Sequence, residues 1–162
     1  MKRKNLQRVR FITLSAIIAA LYFVLTMAVF ELASGAIQVR ISEALCVLAY
    51  FTPAAVPGLT LGCFISNVIL TGNPLDIIFG TLATFIGAFG GYLLRKNKWL
   101  ITLPTVLANA IIIPFVIYFG FGETELAIPW LMLTIFIGEF ISATVLGTSL
   151  LEILKKYKFK WN

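Results

Sequence analysis

Two charged side chains stand out because each lies where a charge is costly. Glu139 interrupts the apolar stretch 126–151, and Arg40 stands alone between two long apolar segments, three residues before Glu43. A carboxylate inside a membrane segment costs about 2.5–3.5 kcal/mol on insertion scales, so it marks a candidate functional site. The alternative for Glu139 is a structural hydrogen bond between helices. Arg40 either closes a pocket, pairing with Glu43 or a ligand oxygen, or anchors its loop at the headgroups.

Further polar residues are expected at a similar depth. Asn109 lies midway along the apolar segment that precedes the one containing Glu139, and Asn67 and Asp76 flank the turn TGNP. Asp76 also suits the first turn of a helix, where a carboxylate favours the helix dipole, and Asn67 can be a helix-packing amide.

Together these residues predict a pocket that is open to the outside of the membrane, with apolar walls and a few fixed polar groups. Tyr50 and Trp130 are candidate stacking faces, as is Phe115. Carboxylates accept from N–H edges or amines, and Asn both donates and accepts, so a small planar ligand with polar edges is expected. The predicted polar lining is Arg40, Glu43, Asn67, Asp76, Asn109 and Glu139.

Composition shows what kind of chain must position these groups. The 162 residues are 60% hydrophobic and 12% charged, against roughly 25% charged in an average soluble domain. A single soluble core of this size cannot hide so much apolar surface. The sequence therefore predicts an integral membrane protein with one transmembrane domain, residues 1–162.

The basic residues predict the topology. Of the 13 Lys and Arg, all but Arg40 fall in MKRKNLQRVR, RKNK and KKYKFK, at the ends of apolar segments. Cytoplasmic flanks carry such clusters, which explains the net charge of +6 without a nucleic-acid partner. The clusters share one side only if the long stretch 44–75 divides at TPAAVPG, where Pro53 and Pro57 would each break a helix. An all-α bundle of six transmembrane helices is predicted, N-in and C-in, at about 9–33, 41–52, 56–72, 75–95, 99–120 and 126–154.

The predicted second helix is too short to cross a membrane alone, so it should be partial or buried against its neighbours. In the first helix, Ala16 and Ala20 lie four residues apart, a spacing that lets helices approach closely. With Ser15 and Ala19 they form a stripe that packs either within the chain, by default, or against another subunit.

Several kinds of active site have no counterpart in the sequence. There is no His, no GxxxxGK[ST] phosphate loop, no GxSxG and no metal-ligand spacing. We therefore expect neither an enzyme nor a bound cofactor. Cys46 and Cys63 are expected to be two small buried thiols.

The motifs RISEALCVLAYFTPAAVPGLTLGC, DIIFGTLATFIGA, LANAIIIPF and IGEF resemble the QueT family of queuosine-precursor transporters, which are S-components of energy-coupling factor (ECF) transporters. The resemblance covers nearly the whole chain. It implies a six-helix S-component in the bacterial cytoplasmic membrane that captures a 7-deazapurine, such as preQ1 or queuine, from outside the cell.

The resemblance also implies partners. An S-component docks on an ECF module, which consists of a transmembrane coupling subunit and two ATPase subunits that supply the energy. An AxxxA face on helix one is the docking surface in such proteins, and Ala16 and Ala20 fit that pattern. The loop after helix one caps the pocket, where Arg40 and Glu43 lie here.

Three other functions remain open. The chain can be an S-component for another vitamin or purine-like substrate, or a stand-alone carrier or channel. It can also be a structural membrane subunit in which Glu139 and Asn109 only hold helices together.

Overall fold

The computed structural model describes residues 2–30, 40–122 and 127–157, and every regular element within them is helical. Helix α1 is Lys2–Ala28, and α2 is a 3-10 helix, Ile41–Tyr50. Four of the described helices combine α and π segments, the first three being α3 (Ala55–Ser66, then Asn67–Thr71), α4 (Asp76–Gly80, then Thr81–Leu94) and α5 (Leu103–Val116, then Ile117–Phe121). Helix α6 runs from Ile128 to Lys156, with a π segment at Phe140–Leu146.

Four of these helices are long and apolar enough to cross a membrane: Lys4–Ala28, Asp76–Leu94, Leu103–Phe121 and Ile128–Lys156. Their outward faces carry large apolar side chains, such as the stacked Phe85 and Phe89 on α4. Large apolar side chains that cover the outside of several long helices are typical of a surface in contact with lipid. The prediction of an all-α, multi-pass membrane protein is confirmed.

Helix α2 is buried as the sequence predicted. Every residue from Ser42 to Ala49 is buried, and the helix packs against α1, α3, α4 and α6. A 3-10 helix rises about 2 Å per residue against 1.5 Å in an α-helix, so its ten residues extend about 20 Å. Its tighter winding thus lets a short segment reach deep into the bundle.

The break predicted at TPAAVPG is present, although its two prolines differ in role. Pro53 lies in the turn between α2 and α3. Pro57 lies within the first turn of α3, where a missing N–H breaks no helical hydrogen bond. The stretch 44–75 therefore contains the end of one helix and the whole of the next.

Helices α1 and α3 run parallel in close contact because two glycines of α3 face α1. A Cβ atom on Gly58 would lie 2.9 Å from the Ser15 carbonyl oxygen, and one on Gly62 would lie 2.9 Å from that of Ala19. The Ser15 hydroxyl also donates to the Ala54 carbonyl at 3.1 Å. Small side chains on both helices thus bring the two backbones together.

Apart from Arg40, the basic side chains that the structure describes gather at one end of the bundle, which we call the basic end. Lys98, between α4 and α5, pairs with Glu152 near the end of α6 at 2.9 Å. Lys155 lies 4.2 Å from the centre of the Tyr50 ring, at the end of α2. Arg40 precedes the opposite end of α2. This arrangement agrees with the positive-inside pattern, while the six-span N-in/C-in topology stays a prediction.

Candidate functional site

Glu43 anchors the first turn of α2 inside the bundle. Its side chain is 2% exposed, and its Oε1 accepts a 2.5 Å hydrogen bond from the Tyr22 hydroxyl of α1. The Thr84 hydroxyl of α4 donates to the same oxygen over a longer 3.5 Å. A buried carboxylate needs such donors because it has lost its water. Glu43 therefore ties α2 to α1 and α4.

Polar contacts continue from Glu43 into α3. The Thr84 hydroxyl lies 3.2 Å from Cys63 Sγ, and Asn67 Nδ2 lies 3.6 Å from the same sulfur. Both cysteines are free and buried, as predicted. Asn67 Nδ2 also donates to the Asp76 carbonyl oxygen at 2.8 Å, across the α3–α4 turn. The amide of Asn67 is thus already engaged in packing two helices.

Asp76 is the first residue of α4, and only one of its two carboxylate oxygens accepts a hydrogen bond from the described residues. The Thr71 hydroxyl donates to Oδ2 at 3.0 Å, while the buried Oδ1 has no hydrogen-bond partner among the described residues. Gly80 makes room for this carboxylate, because a Cβ there would lie 2.6 Å from Oδ1. The Thr81 hydroxyl, about one turn along, is also buried and without a partner in the described chain.

Asn109 and Glu139 form the least satisfied part of the interior. Asn109 is 0% exposed, yet neither its Oδ1 nor its Nδ2 has a hydrogen-bond partner within the described ranges. Glu139 lies beside it on α6, close enough for the two side chains to interact as hydrogen-bonding groups. No regular hydrogen bond joins them, and Glu139 Oε2 has no partner among the described residues. The hydroxyls of Thr105 and Ser142 are in the same condition. Unpaired buried groups cost free energy, which a ligand with complementary donors and acceptors would recover.

Three of the polar residues described above lie at the start of a π segment or directly before one. Asn67 and Asp76 each begin a π segment, and Glu139 directly precedes another. Such segments shift the register of side chains along a helix and are frequent at functional sites. They explain how polar residues on several helices come to face a common interior.

Arg40 is partly buried just before α2, and its carbonyl accepts from the Glu43 N–H at 2.9 Å. Burial disfavours the charged guanidinium, but the charge of Asp76 foremost, with that of Glu139, raises the pKa of Arg40 above its ordinary value. Arg40 also interacts with Glu43. Its charge thus acts on three acids at longer range, with no ion pair to any of them among the described residues. The loop 31–39, predicted to cap the pocket, lies outside the described residues.

The predicted aromatic residues are not brought to this cluster. Tyr50 lies at the basic end, against Phe51 and Lys155. Trp130 is 53% exposed on the outer face of α6, and Phe115 is exposed on α5. The described structure shows no contact between these aromatic residues and the polar cluster, and their role as stacking faces stays a prediction.

The stripe of small residues on α1 is divided between two faces. Ser15 and Ala19 are buried against α3, whereas Ala16 and Ala20 are exposed. Packing within the chain thus uses the first pair and leaves the second free on the surface.

Several polar residues of the interior were missing from the prediction. Tyr22 has a detectable signal, since Ser15, Tyr22 and Thr26 follow a helical spacing on one face of an apolar segment. Thr84 and Thr105 have none, because a Thr in an apolar helix usually bonds its own backbone.

The chemistry available here is recognition. Three buried acids, one guanidinium and the Asn109 amide supply acceptors, donors and charge in the interior of the bundle. Among the described residues, no three His, Cys, Asp or Glu side chains are grouped as metal ligands.

Comparison with known proteins gives two matches. The family model described as QueT transporter matches residues 12–156. The chain is also similar to a protein of Lactococcus lactis subsp. cremoris (strain MG1363) named "Queuosine precursor transporter QueT", with 41% identity over 81 residues. That alignment covers 49% of this chain and 47% of the relative, so the chain matches about half of the relative's length. No solved structure matches the chain.

Proposed function

Because this chain belongs to the QueT transporter family, we propose that it is the substrate-binding S-component of an ECF transporter in a bacterial cytoplasmic membrane. It captures a 7-deazapurine precursor of queuosine, such as preQ1 or queuine, from outside the cell. The name of the Lactococcus relative supports this class of substrate.

One observation carries the proposal of a binding site. Asn109 and Glu139 lie buried and within interaction range of each other, and neither the two polar atoms of the Asn109 amide nor Glu139 Oε2 makes a regular hydrogen bond in the described chain. The pyrimidinone edge of a deazaguanine carries one carbonyl acceptor and adjacent N–H donors. An amide N–H beside a carboxylate complements that edge.

The energy for uptake has to come from partners. The chain has no phosphate-binding GxxxxGK[ST] loop, so ATP hydrolysis belongs to the two ATPase subunits of the ECF module. The exposed pair Ala16 and Ala20 on α1 is the surface on which the coupling subunit docks. Small residues there would let a partner helix approach closely.

Calorimetric titration of the folded, detergent-solubilised protein tests the binding function. We expect saturable binding of preQ1 or queuine and no binding of guanine or thiamine. Binding of guanine with equal affinity, or no binding of either deazapurine, would contradict the proposed substrate class.

Uptake by proteoliposomes separates an S-component from a stand-alone carrier. Protein reconstituted alone should bind the deazapurine without concentrating it inside the vesicles, whereas addition of the ECF module and ATP should permit accumulation. Accumulation by the protein alone would favour the carrier.

A further inference from the structure

The first helix extends past its contacts with the bundle at the basic end. Ser15 is the first buried residue of α1, and its hydroxyl donates to the Ala54 carbonyl in the turn after α2. Every residue from Lys4 to Thr13 is exposed within the described chain. The part of α1 before Ser15 is therefore accessible to a ligand from outside the bundle.

A groove on this part of α1 combines two cations with apolar side chains. It is lined by Lys4, Gln7, Arg8, Phe11 and Ile12, and its volume is about 520 Å³. These positions follow the i, i+3, i+4, i+7, i+8 spacing of one helical face. Among the described residues, no carboxylate lines the groove, and none forms an ion pair with either cation. The groove therefore complements a ligand that is negatively charged at one end and apolar along the rest.

The length of α1 places the cations and the apolar residues at different depths in a membrane. Residues Lys4–Ala28 extend about 37 Å at 1.5 Å per residue, against about 30 Å for the hydrocarbon core of a bilayer. About 7 Å of the helix, or roughly five residues, then lies in the headgroup layer. Charged side chains belong to that layer, so Lys4 and Arg8 are at the level of the lipid phosphates. Phe11 and Ile12, about one turn further on, are at the level of the acyl chains.

We propose that this groove binds an anionic phospholipid. The phosphate lies between Lys4 and Arg8, whose guanidinium suits two parallel hydrogen bonds to phosphate oxygens. One acyl chain lies along Phe11 and Ile12. A lipid with net negative charge is preferred because a zwitterionic headgroup carries its own cation beside the phosphate. The groove is separate from the polar interior, so the inference does not rest on the proposed function.

Two lipids with the same acyl chains test the need for charge. Native mass spectrometry of the detergent-solubilised protein, titrated with phosphatidylglycerol or with phosphatidylcholine, gives the apparent dissociation constant of the first bound lipid. We expect this constant to be at least about tenfold lower for phosphatidylglycerol, because each Lys or Arg near an anionic surface contributes about a factor of five. Equal constants for the two lipids would overturn the proposal. Equally tight binding of soluble glycerol 3-phosphate would also overturn it, since no acyl chain would then be needed.

Two double variants with the same loss of charge locate the site. Lys4→Gln combined with Arg8→Gln removes both cations of the groove, so the preference for phosphatidylglycerol should be lost. Lys96→Gln combined with Lys156→Gln removes two exposed cations of the basic end that do not line the groove, and should keep the wild-type preference. All four side chains are exposed, so thermal unfolding in detergent should show both proteins folded.

A preference that survives in the groove variant, or is lost equally in both variants, would contradict a lipid site at this groove. Module-dependent uptake gives a further check. Reduced uptake by the groove variant with an unchanged lipid preference would assign Lys4 and Arg8 to contact with a partner subunit, and would equally overturn the proposal.

Discussion

At the residue scale, the three buried acids have different roles. Glu43 is held by Tyr22 at 2.5 Å and by Thr84, so its hydrogen-bonding capacity is directed to other helices. Asp76 is half satisfied through Thr71. Glu139 and its neighbour Asn109 keep polar atoms without partners among the described residues. The residues with unmet hydrogen bonds, and not those with the most contacts, are the best candidates for touching a ligand.

Glu139 provides the sharpest residue-level test. If it accepts a hydrogen bond from the ligand, Glu139→Gln should weaken binding of preQ1 by about 10–100-fold, since hydrogen bonds to a charged group contribute about 1.5–3 kcal/mol. Glu139→Ala should abolish detectable binding, and both proteins should still fold. Calorimetry measures binding, and thermal unfolding in detergent measures stability.

The control for Glu139 is Glu152→Gln, which alters an exposed ion pair and should bind as the wild type does. A folded Glu139→Ala protein with an unchanged dissociation constant would remove Glu139 from the site. A change in stability alone would favour a structural role for this acid.

At the element scale, α1 has one face buried in the bundle and one exposed face. One face carries Ser15 and Ala19 and packs against Gly58 and Gly62 of α3, where an added Cβ would meet backbone within 2.9 Å. On the face that the bundle leaves exposed lie Ala16 and Ala20. Because the internal contact does not need these two alanines, their small size is free to serve an external partner.

Bulky substitutions on the exposed face test the docking role. Ala16→Trp and Ala20→Trp should leave ligand binding unchanged, since neither side chain faces the interior, and should reduce module-dependent uptake at least about tenfold by preventing close helix contact. Uptake by proteoliposomes containing the ECF module is the measurement.

Leu21→Trp is a matched control, because Leu21 is also exposed on α1 but is already large. It should transport at close to the wild-type rate. Full uptake by both alanine variants would show that this face is not the docking surface.

At the scale of the whole molecule, most of the described basic residues lie apart from the buried acids. The described basic clusters lie at one end, whereas Arg40 and the three acids lie beyond the opposite end of α2 or within the interior. If the basic end is inside the cell, it forms the cytoplasmic face of the bundle, and the site is reached from the opposite, outer side.

Cysteine labelling tests that orientation. Cys46 and Cys63 are buried, so a membrane-impermeant maleimide should react only with an introduced thiol. Pro74→Cys, in the exposed α3–α4 turn, should label on intact cells. Lys96→Cys, in the α4–α5 connection, should label only after the cells are opened. The reverse pattern would invert the proposed topology, and labelling of both on intact cells would contradict a sealed six-span arrangement.

The sequence by itself determined the features that depend on one segment of the chain at a time. Long apolar segments, their basic flanks and the two prolines of TPAAVPG indicated six helices, because hydropathy, chain length and missing N–H groups act within a segment. The bounds of α3 lie close to the predicted ones, 56–72 against Ala55–Thr71, whereas α1, predicted at 9–33, is found at Lys2–Ala28. The burial of Asn67, Asp76, Asn109 and Glu139 agrees with their expected place in the interior.

Only the tertiary structure decided which residues contact each other. Tyr22 and Glu43 are separated by 21 residues, and Glu43 and Thr84 by 41, so no periodicity along one helix could pair them. The π segments shift side-chain register, and two glycines bring α1 against α3, which divides the small-residue stripe between an inner and an outer face. The same packing leaves Tyr50 at the basic end and Trp130 on the surface. Hydrogen-bond partners depend on distances across the bundle, and those distances are set by all the helix contacts together.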